Sequence, residues 1–256
     1  MVVGLDIFRE YFKDYQDCYL LIGGTACDII LEDAGFIPRA TDDIDIILII
    51  EALSPEFFIK FWEFIKEGDY QEKQKEQEKR NCYRFRDPMN KDFPKQIELF
   101  CRVPDIVEIE EGAHLTPIPA EEGLSSLSAI LLDEEYYKFT LQNSESNDGI
   151  HMARPHTLIC LKSLAFLKNK ELREAGHPVS EKNILKHKYD VFRLVLLLSP
   201  ADIFELPGSV KGTLQEFVDA IKDDLPDPAI LKKNGFGDQD MQVVFNQLLK
   251  SFNLTA

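Results

Sequence analysis

Residues 19–50, YLLIGGTACDIILEDAGFIPRATDDIDIILII, constrain the fold more than any other stretch of the chain. The apolar run Leu20 to Ile22 enters a Gly-Gly-Thr turn, and a helix is predicted from Ala26 to Asp33. After a loop, Asp43-Ile44-Asp45 opens a second apolar run, Ile46 to Ile50. The order is strand, turn, helix, loop, strand. Successive side chains of a strand point to opposite faces, so Asp43 and Asp45 project from the same one. Two adjacent carboxylates repel each other unless a cation lies between them, and a hard ion such as Mg²⁺ takes carboxylate oxygens together with phosphates. Gly23 and Gly24 let the backbone come close to a ligand and open a helix whose N-terminus attracts anions. A carboxylate pair able to hold metal, beside a turn able to cradle phosphate, points to metal-assisted chemistry on a nucleoside triphosphate.

This arrangement resembles the nucleotidyltransferase superfamily, in which a Gly-Gly-Ser/Thr turn precedes an Asp-x-Asp strand. The closer resemblance is to its AbiEii-type branch, from abortive-infection and toxin–antitoxin systems. Arg39, Thr41, Asp43 and Asp45 in RATDDID match that branch's Arg-x-(Ser/Thr)-x-Asp-Ile-Asp wording. Two later elements match as well: LIC-Lys162-SLA resembles a helical lysine that follows the catalytic domain, and Lys186-HKY-Asp190-V a basic stretch ending in Asp and an apolar residue. The resemblance covers most of 19–50 and 155–195 and is thin between 51 and 150. One departure is the spacing of 18 positions between Thr25 and Asp43, which implies an enlarged loop around Phe36-Ile37-Pro38 and leaves the role of Arg39 open.

The resemblance implies a two-metal Mg²⁺ site held by Asp43, Asp45 and a third carboxylate on a neighbouring strand. Glu98 is the candidate. Gly23, Gly24 and Thr25 would hold the β- and γ-phosphates of an NTP, Lys162 would balance their charge, and Arg39, Lys186 and Asp190 would complete the binding wall. Two plainer readings stand beside these. Glu98 alternates with the apolar set Ile97, Leu99 and Cys101 and could pair with Arg84 or Arg86. Lys162, with apolar neighbours one turn away on either side, could form a buried ion pair with Asp190, because a lysine in an apolar stripe needs an anion.

The chain has 256 residues, 45% of them hydrophobic, enough for a core in one or two domains. The reading is α/β, more strictly α+β: a mixed sheet with flanking helices over 1–152, then a helical C-terminal domain over 153–256. No apolar run approaches the ~20 residues of a membrane span and no signal-peptide pattern opens the chain, so a cytoplasmic protein is expected. Cys18, Cys27, Cys82, Cys101 and Cys160 are odd in number, lack metal-ligand spacing and are expected as reduced core thiols. The net charge of −16 disfavours non-specific nucleic-acid binding, although residues 151–200 hold 9 basic and 4 acidic side chains.

Elsewhere, residues 5–17 carry apolar positions at helical spacing, and Ser54-Pro55 caps an aromatic helix ending at Gly68 whose rings are expected to cover the sheet. Residues 71–80 read as a solvated strand edge or loop, 81–87 and 95–103 as strands, and 104–149 as an acidic extension with a further strand pair. Helices are predicted over 156–173 and from a Ser180 cap to about 198, with His187 as a surface residue. The tail from 201 reads as scaffold of two or three helices. Walker-type, GxGxxG and GxSxG motifs are absent from the sequence, and its five histidines lack zinc-ligand spacing.

The function that these features and the resemblance together imply is Mg²⁺-dependent transfer of an NMP from an NTP to a hydroxyl acceptor; the AbiEii-type resemblance implies RNA or protein as that acceptor in a toxin-like role, and leaves open whether an antitoxin-like partner exists. A catalytically silent nucleotide- or partner-binding protein and an antibiotic-modifying nucleotidyltransferase are the alternatives.

Overall fold

Apolar residues of period two build the strands, and aromatic helices close one face of the sheet they form. The computed structural model describes residues 2–39, 41–76, 82–102, 116–118 and 133–255. In chain order the elements are α1 (Leu5–Phe12), β1 (Tyr19–Ile22), α2 (Gly23–Asp33), β2 (Asp43–Leu48), α3 (Pro55–Gly68), β3 (Tyr70–Glu76), β4 (Cys82–Pro88), β5 (Gln96–Phe100), β6 (Thr116–Ile118), α4 (Glu134–Gln142), β7 (Ser144–Asn147), β8 (Ile150–Ala153), α5 (Pro155–Glu174), α6 (Glu181–Val195), α7 (Gly208–Ile221), the short α8 (Pro228–Leu231) and α9 (Met241–Ser251). A π-helical turn, Lys232–Phe236, follows α8. The α/β class expected from the sequence is the observed one.

The chain divides into two units. One comprises Met1–Ala26, Ala40–Leu132 and Ser144–Ala153, the other Cys27–Arg39, Asp133–Asn143 and Arg154–Ala256. The sequence places a single boundary near 152; the division here also assigns two earlier segments, Cys27–Arg39 and Asp133–Asn143, to the helical unit.

In the first unit eight strands among the described residues form one mixed sheet in the order β6-β3-β4-β5-β2-β1-β8-β7. β2 runs antiparallel to β1 and parallel to β5. On one face Tyr19, Leu21, Ile44, Ile46, Phe85, Ile97 and Leu99 are buried. That face meets rings of α1 and α3: Phe8 lies 5.3 Å from Tyr19, and Phe61 5.5 Å from Phe85. Phe57, Phe61, Trp62 and Phe64 are therefore core, as expected, and Phe58 is half-buried. Each fully buried ring of this size stabilises by about 1.5–3 kcal/mol. Ser54 caps α3 by accepting from Phe57 N at 3.2 Å, with Pro55 in the first turn. The opposite face of β2 and β5 carries the carboxylates.

In the second unit α5 is buried on all sides from His156 to Phe166 and packs against α6 and α7. The end of α4 is tied to the start of α5: the Asn143 carbonyl accepts from Arg154 N at 3.1 Å and from Thr157 Oγ1 at 2.8 Å. Residues 134–142, expected as part of a strand pair, are helical. Asp133 Oδ1 accepts from Glu135 N and Tyr136 N and starts the turn, and Tyr136, Tyr137, Phe139 and Thr140 are buried at helical spacing. The SESNDG segment supplies β7 and then a tight turn with positive φ at Asp148 and Gly149. Most of the acidic extension (103–115 and 119–132) lies outside the described residues, as do 77–81. Among the described residues no helix is long and apolar enough to cross a membrane.

Candidate active site

Strand register assembles the first group of predicted site residues. In β2, half-buried Asp43 and Asp45 alternate with buried Ile44, so both carboxylates leave the same face. The parallel pairing with β5 sets Asp45 beside Glu98 and Asp43 beside Gln96, and the antiparallel pairing with β1 sets Asp45 beside Ile22. Directly after Ile22 the chain turns at Gly23 into α2, so the helix opens next to Asp45.

The two glycines have a steric reason to be there. Gly23 has φ +75°, and a Cβ there would run into the Asp45 carboxylate, with Cγ 2.8 Å away. At Gly24 a Cβ would strike the Thr41 hydroxyl, and the Thr41 methyl would be 3.1 Å away. Thr25, fully buried, donates from its hydroxyl to the Asp43 backbone carbonyl and fastens the first turn of α2 to β2. Close approach brings the N-terminal amides of α2 to the carboxylate strand, where their partial positive charge favours anions.

Glu98 is buried and its carboxylate is engaged. Arg84, its register partner on β4, donates from Nε to Glu98 Oε1 at 2.6 Å, and Gln96 Nε2 donates to the same oxygen at 3.1 Å. The Arg84 pairing anticipated from the sequence is thus formed. Among the described residues no group of three or more His, Cys, Asp or Glu side chains gathers as metal ligands. Asp43 and Asp45 present carboxylate oxygens on one face, the type of donor that Mg²⁺ takes together with phosphates and water. Glycine at position 23 lets the start of α2 lie directly against the Asp45 carboxylate.

The remaining predicted residues, Arg39, Lys162, Lys186 and Asp190, belong to the helical unit. Asp190 on α6 is their centre. Its Oδ2 accepts from Lys162 Nζ at 3.0 Å, and its Oδ1 accepts from Arg193 Nη1 at 2.8 Å and lies 3.5 Å from Arg39 Nε. Lys162, Asp190 and Arg193 are buried, and Arg39 is half-buried. Burial works against the Asp190 charge, but Lys162, Arg39 and Arg193 together hold its carboxyl down to about 2. Burial likewise opposes the Lys162 ammonium, and Asp190 outweighs it, holding the amine above its ordinary range. Lys186, half-buried, sits one turn before Asp190 on α6.

Further members of this cluster escape sequence reading. Asp28, one turn inside α2, is buried; desolvation pushes its carboxyl up to about 6 against the opposing pull of Arg39. His187, expected at the surface, is buried, and desolvation followed by the nearby Lys162 and Lys186 charges holds its imidazole well below the ordinary value. Around Asp190, Lys162, Arg39 and Arg193 thus gather in a low-dielectric place, with Asp28 close enough to feel Arg39. Arg193 carried a readable signal, its position three residues after Asp190 on a helix. Not all of the basic residues in 151–200 face solvent: Lys162, Lys188 and Arg193 are buried at 5%, 3% and 3% exposure, and Lys188 donates to the Asp224 carboxylate at 2.8 Å.

No protein-family model matches the chain, and no curated protein does. Among solved structures the chain is similar to the Megavirus polyadenylate synthase, with 13% identity and a TM-score of 0.39, over 86% of this chain and 36% of that one. It is also similar to an antigenic nucleotidyltransferase-like protein from Paracoccidioides brasiliensis, with 12% identity and a TM-score of 0.42, over 96% of this chain and 100% of that one. At this level of similarity neither neighbour assigns an activity to the chain.

Proposed function

We propose that this chain is a nucleotidyltransferase that moves an NMP from an NTP to a hydroxyl acceptor. The observation that carries the reading is the register of β1 and β2, which sets Asp45 beside Ile22 so that Gly23 opens α2 against its carboxylate. Asp43 and Asp45 are the residues that would hold a divalent cation. Such an ion would neutralise phosphate charge and align the acceptor oxygen with the α-phosphorus. The α2 amides from Gly23 onward would meet phosphate oxygens. Thr25 acts through its hydroxyl as a fastener of that turn.

The gathering of Lys162 and Arg39 at Asp190 supports assigning both to phosphate binding, with Lys186 and Asp190 completing the wall. Glu98 serves as the third carboxylate of the reading only after exchanging Arg84 for metal. That engagement favours a second reading, a catalytically silent nucleotide-binding protein.

The AbiEii-type resemblance supports a toxin-like role, with an antitoxin-like partner, in the cytoplasm. Three of the nine cations in residues 151–200 turn inward, which weakens the case for RNA as the acceptor and leaves RNA or a protein as the macromolecular candidates. The experiment is incubation with Mg²⁺ and each α-³²P-labelled NTP in turn, with total tRNA, cell lysate or an aminoglycoside panel added. The expected result is label on a macromolecule, lost in the Asp43→Asn, Asp45→Asn double variant. Label on small molecules alone would favour an antibiotic-modifying enzyme, and NTP binding without any transfer would favour the silent binder.

A further inference from the structure

The tail reads as scaffold, yet one residue in it touches both sides of the Asp190 cluster. Asn234, in the π-helical turn after α8, accepts at Oδ1 from Arg193 Nε at 3.2 Å and from Nη2 at 2.9 Å. Its Nδ2 donates to the Ile37 carbonyl at 3.0 Å, and its own carbonyl accepts from Ile37 N at 3.0 Å. The amide orientation is forced. A guanidinium only donates and a carbonyl only accepts, so oxygen must face Arg193 and nitrogen must face Ile37.

The same segment grips the loop a second time, because Phe236 stacks on Phe36 with ring centroids 4.1 Å apart and planes 10° from parallel. Gly235 permits the turn with φ +87°. Between the pinned Ile37 and Arg39 stands Pro38, whose ring fixes its own φ and restricts Ile37 to extended backbone. The backbone leading into Arg39 is thereby held in place. On its other side Asn234 orients the Arg193 fork, whose remaining Nη1 faces Asp190 at 2.8 Å. The long Thr25 to Asp43 spacing is thus accommodated by a clamp from a distant part of the chain.

We infer that Asn234 is a positioning residue that sets Arg39 against Asp190, making residues 232–236 part of the phosphate-binding apparatus of the helical unit. The inference rests on the reading of Arg39 as a phosphate ligand. Two measurements separate the two claims: hydrogen exchange of residues 34–39 in the unliganded protein, and NTP affinity in Asn234→Ala, Arg39→Ala and the double variant. Asn234→Ala should raise exchange in 34–39 and weaken NTP binding about tenfold, the size of a lost hydrogen-bond partner to a charged group. Adding Arg39→Ala should then cost almost nothing more, as coupled residues require.

Unchanged exchange in 34–39, or losses that multiply independently, would overturn the proposal. If the alanine variant fails to fold, Asn234→Asp replaces it: the carboxylate still accepts from Arg193 but opposes the Ile37 carbonyl, so the loop alone should be released. A wild type that binds no NTP would sink the parent reading, while exchange in the unliganded variants would still decide whether Asn234 sets the loop.

Discussion

Asp45 and Glu98 stand side by side in the parallel register of β2 and β5, and the charge of Glu98 is directed to Arg84, 2.6 Å away. Arg84 therefore decides how many carboxylates this face offers a cation. Arg84→Met should leave Glu98 buried beside Asp45 without its cation and with only the Gln96 amide as donor among the described residues, a loss of about 3–5 kcal/mol for breaking a buried pair. Mg²⁺ should then restore part of the stability by binding the folded state alone. Urea unfolding with and without Mg²⁺ checks this; a metal response no larger than in the wild type would exclude Glu98 as a ligand.

Gly23 answers to a different test. Alanine there must adopt a positive φ and push against the Asp45 carboxylate, costing on the order of 1–3 kcal/mol in backbone strain alone. If the turn serves a metal face, Mg²⁺ should raise the melting temperature of the wild type by binding the folded state, and Gly23→Ala should erase that rise. A variant with lowered stability and an intact metal response would reduce the glycine to a packing role.

How far the sequence reached depends on the range of the interactions. Strand, turn, helix and strand from 19 to 48 were legible because alternation and glycine act locally, although α2 starts at Gly23 rather than Ala26. YYKFT was misjudged because β-favouring residues also pack well on a buried helix face once Asp133 caps it. His187 lies on a helix buried around most of its circumference, which no single-face periodicity announces. Asn234 gave no signal at all, since its partners Arg193 and Ile37 lie 41 and 197 positions away.

Removing either member of the Lys162–Asp190 pair should have unequal consequences. Lys162→Met keeps the apolar stem and leaves Asp190 with Arg193 and Arg39, so the loss should stay near 1–2 kcal/mol, about one charged hydrogen bond. Asp190→Asn strands Lys162 and Arg193 in the core and should cost about 3–5 kcal/mol. Chemical unfolding of both variants decides; equal losses would mean that Arg39 and Arg193 do not support the carboxylate. A phosphate role for Lys162 would appear separately, as weakened NTP binding at near-normal stability.

The pH dependence carries two opposing signs. His187 is held below its ordinary value, so below about pH 6.5 the unfolded chain takes up a proton the folded one refuses, and stability falls with acid. Asp28 is pushed up to about 6, so the folded chain binds the extra proton and stability rises as pH drops from 6 toward 4. The wild type should therefore have a shallow profile across that window, with a separate loss as pH falls from about 4 toward the depressed Asp190 value of about 2. His187→Gln should expose the Asp28 contribution, giving a protein more stable at pH 4.5 than at pH 7. Asp28→Asn should do the reverse, gaining up to about 3 kcal/mol at pH 7, roughly two pKa steps, and losing that gain by pH 4. Denaturant titrations at half-unit pH intervals read both slopes, and two variants sloping the same way between pH 4 and 6.5 would refute this assignment of the buried groups.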